Sequence, residues 1–67
     1  MKIVFESEIG DDGLKMFVQI HPDDPRRPIL VIQRDGTNER ELNSATELRI
    51  LGEAIRLAGL ELIEKGL

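Results

Sequence analysis

The stretch SATELRILGEAIRLAGLELIEK, residues 44–65, decides the fold. Ser44 followed three residues later by Glu47 is a capping box at the head of an apolar periodic run. A helix from about Ala45 to Lys65 would be about 30 Å long at 1.5 Å per residue. Gly66 is placed to end it, and Glu61 and Lys65 stand at the spacing of a favourable i,i+4 pair. On a helical wheel Leu48, Leu51, Ile55, Ala58 and Leu62 share one stripe, which is expected to face a core. Beside that stripe Ala45, Gly52, Gly59 and Gly66 recur at heptad spacing. Glycine inside a helix costs about 1 kcal/mol relative to alanine. Gly52 and Gly59 therefore imply close backbone approach to a sheet or another helix, or else room for bulky sheet side chains such as Phe5 or Met16. Ile50 and Leu57 point away from the main stripe, with Leu60 to one side, among Thr46, Glu53, Glu61 and Glu64. This second apolar line is expected to contact another subunit.

Upstream, the chain reads as the sheet beneath that helix. Residues 1–9 alternate, with Met1, Ile3, Phe5, Ser7 and Ile9 on one face and Lys2, Val4, Glu6 and Glu8 on the other. Residues 14–21 do the same, with Leu14, Met16, Val18 and Ile20 against Lys15, Phe17, Gln19 and His21. Period-two alternation with an apolar face is the signature of a half-buried strand. Gly10-Asp11-Asp12-Gly13 joins the two as a hairpin turn. If Asp11-Asp12 forms the turn, Glu8 falls opposite Lys15, a favourable cross-strand pair. If Asp12-Gly13 forms it, the pairing shifts by two.

Pro22, Pro25 and Pro28 then punctuate residues 21–28 as a stiff, extended connection, because proline fixes φ and cannot donate to a ladder. Ile29, Leu30, Val31 and Ile32 make a strand apolar on both faces, which is usually covered on both. The helix can cover one face; the other calls for a partner. Asp35-Gly36 is a strong hairpin signal, leading either to a short, charged fourth edge strand within 37–42 or to an irregular approach to the helix. The fold expected is α+β: an antiparallel meander of three to four strands (residues 1–43) followed by one long C-terminal helix packed across the sheet (residues 44–67), in a single domain. The expected core is Ile3, Phe5, Met16, Val18, Ile20, Leu48, Leu51, Ile55, Ala58 and Leu62.

A 67-residue chain buries only about 60% of its unfolded surface and rarely gains more than about 3–5 kcal/mol from its core. With no cysteine, disulfides and thiolate metal sites are excluded, so self-association is the expected supplement. No run approaches the roughly 20 apolar residues of a membrane span. The start, MKIVFESEIG, reaches its first acid too soon for a signal peptide. The expectation is a soluble, cytoplasmic protein. A net charge of −4 with only two Phe and no Trp or Tyr disfavours non-specific nucleic-acid binding and base stacking.

Two constellations carry possible chemistry. His21, Asp23 and Asp24 combine a histidine with carboxylates, the donor set of a metal or acid–base site, but in a proline-rich turn where Asp-Pro is ordinary. Arg26 and Arg27, with Arg34, Arg40 and Lys15, are the candidates for contact with an anion or nucleic acid. No nucleophile stands beside His21 and no phosphate-binding glycine loop occurs, so no catalytic residue, cofactor or metal is assigned. The leading expectation is a small non-enzymatic, homo-oligomeric binding or regulatory protein, of the sort that accessory or phage-type genes encode. Its interface would use Ile50, Leu57 and Leu60, or the second sheet face through Val4 and Phe17, with a protein partner possible and no membrane.

The order of elements, a strand meander followed by one long helix, is similar to that of the PC4-like single-strand-binding coactivators. That resemblance implies pairing through the helices and nucleic-acid binding on the sheets, which is the alternative function: a nucleic-acid-binding dimer using Arg26, Arg27, Arg34, Arg40 and Lys15. The N-terminal strand, Asp-Gly-type turn and strand are also like those of the HicB-type antitoxins. Both are likenesses of element order and carry no residue across.

Overall fold

The computed structural model describes residues 1–38, 41–42 and 44–67. Four antiparallel strands, β1 (Lys2–Glu8), β2 (Leu14–His21), β3 (Asp24–Arg34) and β4 (Thr37–Asn38), form one sheet in the order β1-β2-β3-β4. Helix α1 (Ala45–Glu64) follows and lies over β1 and β2. This is the expected α+β meander with a C-terminal helix on the sheet.

The first hairpin takes the register that sets Glu8 opposite Lys15, with Asp11 and Asp12 as the turn. Gly13 closes the loop at φ +87°, and a Cβ there would run into the Asp35 carboxylate, so glycine is required on both counts. The pairing then slips between Ile3 and Phe5, leaving Val4 as an extra residue in β1. A bulge of one residue reverses the alternation beyond it. Val4 and Phe5 both pack against the core, whereas Ile3, expected inside, pairs with Gln19 on the outer face and is 48% exposed.

The proline-rich connection is shorter than the sequence implied. Only Pro22 and Asp23 turn, and β3 begins at Asp24. Pairing passes from Gln19–Ile29 to His21–Asp24, so residues 25–28 bulge out opposite Ile20. Pro25 and Pro28 fit this strand because bulged residues do not need a ladder N–H. Leu30 and Ile32 pair with Val18 and Met16 on the helix side, and Ile29 and Val31 pair with Gln19 and Phe17 on the outer side. The fourth strand is two residues long. Glu41 and Leu42 are irregular, and the rest of the segment considered for it, Glu39 and Arg40, lies outside the described residues.

The helix begins as its sequence demands. Ser44 is the N-cap, and its Oγ accepts the Glu47 backbone N–H at 3.1 Å. Ser44→Ala should cost about 1 kcal/mol, read as a lowered urea midpoint in circular dichroism. At the other end Gly66, at φ +77°, donates to the Ile63 carbonyl, and Leu67 donates to the Leu62 carbonyl. That is the Schellman closure. Lys65 Nζ donates to the Val4 carbonyl at 3.3 Å rather than pairing with Glu61.

The buried face of α1 is Leu51, Ala54, Ala58 and Leu62. It is turned by roughly 35° from the expected stripe at 100° per residue, leaving Leu48 62% and Ile55 43% exposed. The sheet supplies the bulk of the core: Ile9, Leu14, Met16, Val18 and Ile20 are buried. Against such side chains a helix comes closest through its alanines. Ala54 and Ala58 thus do the space-saving expected of Gly52 and Gly59, which have nothing within 4 Å of a would-be Cβ.

Candidate functional site

Two contacts set the course of α1 across the sheet. Near its start, Glu47 Oε2 lies 3.3 Å from Arg34 Nη2 at the end of β3, and Arg34 Nη1 also pairs with Asp12 of the first loop. Near its end, Lys65 reaches β1 at Val4. The helix therefore crosses diagonally, from the β3 side to the β1 side. What it leaves uncovered is the first half of β3.

That uncovered wedge is a groove of about 410 Å³. Pro28 and Leu30 form one wall, Ile55, Gly59 and Ile63 the other, and Val18 lies in its lining. Leu30 is 47% and Ile63 71% exposed. Among the described residues, the one charged side chain lining it is that of Arg26. The β3 bulge separates the paired arginines: Arg27 Nε lies 3.4 Å from Asp24 Oδ2, while Arg26 has no acidic partner among the described residues.

A second apolar surface lies on the outer face of the sheet. Cross-strand rows place Ile3, Gln19 and Ile29 side by side, and Glu6, Phe17 and Val31 beside them. Lys15 Nζ borders the patch, 3.9 Å from Glu6 Oε1. Antiparallel sheets with one solvated face ordinarily present polar residues there.

The proposed interface residues are distributed over several places. Ile50 and Val4 lean on their own core, so Ile50 and Leu57 do not make one exposed line. Leu57 and Leu60 are exposed, next to an exposed Glu53–Arg56 ion pair whose hydrogen bond lowers the Glu53 carboxyl below its ordinary range. Phe17 lies in the outer-face patch.

The basic residues do not converge. Arg34 is engaged by Asp12 and Glu47, Lys15 by Glu6 and Arg27 by Asp24; Arg40 lies outside the described residues. At the β2–β3 turn, His21 Nδ1 accepts the Asp23 backbone N–H at 3.1 Å, and Asp24 is held by Arg27. Among the described residues no group of three or more His, Asp and Glu side chains is placed to hold a metal, and no helix is long and apolar enough to cross a membrane.

The groove could not be read from the sequence, because it depends on the diagonal course of α1. Its one sequence signal was the two-sided apolar run of residues 29–32. Compared with protein-family models, curated proteins and solved structures, the chain finds no match.

Proposed function

We propose that this chain is a small non-enzymatic binding module that works as a homodimer, joined through the outer face of its sheet. The observation that carries the reading is the patch formed there by Ile3, Phe17, Ile29 and Val31. Two such faces stack about 10 Å apart with interdigitating side chains, as in a sandwich. The molecule's longest dimensions, 34 × 22 Å, give a face of the order of the roughly 800 Å² per partner that standard interfaces bury. Lys15 and Glu6 at the rim supply both signs of charge, so the surface is complementary to itself under a two-fold axis. A domain this small gains from pairing what it lacks in core.

Light scattering at micromolar concentration tests the reading. The wild type should show twice the 7.6 kDa chain mass, and Phe17→Glu should reduce it to one chain. Leu57→Glu, on the exposed side of α1, should leave the dimer intact. A monomeric wild type overturns the proposal. A dimer broken by Leu57→Glu but not by Phe17→Glu would move the interface to the helix.

A further inference from the structure

The groove between α1 and β3 is a different surface from the dimer face and has a different chemistry. Its described lining side chains are apolar except for one guanidinium, and its volume of about 410 Å³ falls within the 300–1,000 Å³ range of small-molecule sites. Such sites pair an apolar lining with a few polar groups that orient the ligand. Here that group is Arg26, held between Pro25 and Pro28 in the β3 bulge, where fixed φ angles stiffen the backbone that carries it. Its neighbour Arg27 is occupied by Asp24, whereas Arg26 has no acid of its own among the described residues. In a chain of net charge −4, a cation without an acidic partner at an apolar groove selects an anion with an apolar body.

Gly59 is a second, independent observation. It sits in the groove wall in mid-helix, where glycine is unfavourable, and its backbone does not require glycine. Nothing within 4 Å of its missing Cβ explains its presence. A side chain at this position would project from the helix wall into the groove, so the residue's one visible effect is to keep the groove open.

We propose that the α1–β3 groove binds a small amphipathic carboxylate, its apolar body lying over Leu30, Ile55 and Gly59 and its carboxylate paired with Arg26. An arginine fork suits a carboxylate, which it can meet with two parallel hydrogen bonds. The ligand is a free small molecule with an aliphatic or aryl body.

Decanoate is the probe, titrated into the full chain and followed by amide chemical shifts, with decanol as its neutral counterpart. Decanoate should bind saturably, shift Leu30, Ile55 and Gly59, and bind at least tenfold more tightly than decanol. Arg26→Gln should remove that preference while leaving decanol binding unchanged. Gly59→Leu should abolish binding of both while raising the thermal midpoint, since leucine is the better helix former; that rise separates a filled groove from a failed fold. Equal affinity for decanoate and decanol in the wild type, or undiminished binding to Gly59→Leu, overturns the proposal. So does a change in oligomeric mass on adding decanoate, which would make the groove a protein-covered surface. The dimer proposal stands or falls separately, on Phe17→Glu.

Discussion

Leu14→Ala is expected to leave most of the chain unfolded at room temperature. Leu14 is fully buried and belongs to the cluster that includes Ile9, Met16 and Leu51. Its carbonyl accepts the Ile9 and Gly10 N–H groups at 2.8 and 3.4 Å. Alanine keeps those backbone bonds, so the substitution isolates the side chain. Truncating a buried leucine costs about 2–5 kcal/mol, and a core of this size supplies about 3–5 kcal/mol in all. Urea titration followed by circular dichroism should show a folded baseline reduced or absent. Leu48→Ala and Ile63→Ala, at residues 62% and 71% exposed, should change the unfolding free energy by no more than about 0.5 kcal/mol. If Leu48→Ala destabilised as much as Leu14→Ala, the helix would be rotated back to the stripe first read from its sequence.

That contrast marks how far the sequence could be read. The meander, the Ser44 cap and the Gly66 stop were legible because each rests on short-range chemistry: alternation with turn dipeptides, a capping hydroxyl, a positive φ. The register of the first hairpin was not, because Asp11-Asp12 and Asp12-Gly13 are both acceptable turns; the structure takes the one that sets Glu8 opposite Lys15. Ile3 was misplaced because a bulge at Val4 carries no residue signature, yet shifts the side chains beyond it to the other face. The helix stripe was misjudged because hydrophobicity ranks Ile55 above Ala54, whereas bulky strand side chains leave space for alanine. The prolines at 25 and 28 read as loop because a bulge tolerates what a regular ladder forbids.

The two apolar surfaces follow from one shortage. A single 20-residue helix covers β1 and β2, but not the whole inner face of a four-stranded sheet, and among the described residues no element packs on the outer face. Ile29, Leu30, Val31 and Ile32 therefore serve both surfaces: odd positions feed the outer patch, and Leu30 the groove. The proposed dimer face and the proposed ligand groove thus draw on opposite sides of the same strand. The candidate site was legible only as an excess of apolar residues; its division into two surfaces required the direction of the helix.

Arg34→Met should be the most damaging change to a charged residue. The Arg34 and Glu47 side chains are 15% and 12% exposed, whereas Asp12 is 56% exposed. Methionine retains much of the aliphatic stem but removes the cation, taking the Arg34 counter-charge away from a Glu47 carboxylate that is largely out of water. Breaking a fully buried pair from one side costs about 3–5 kcal/mol; the residual exposure here reduces the expected loss to about 2–3 kcal/mol. Glu47→Leu combined with Arg34→Met should recover most of it, because two apolar groups meet where two charges did. The coupling energy from the four-protein cycle should therefore be about 1–3 kcal/mol, read from urea midpoints. The same pair fixes the helix start at the β3 end of its diagonal, so Arg34→Met should also shift the amide resonances of Leu30 and Ile55 in the groove. A single-variant loss below about 1 kcal/mol, with those resonances unmoved, would mean that the pair is a solvated surface contact and that packing alone sets the helix course.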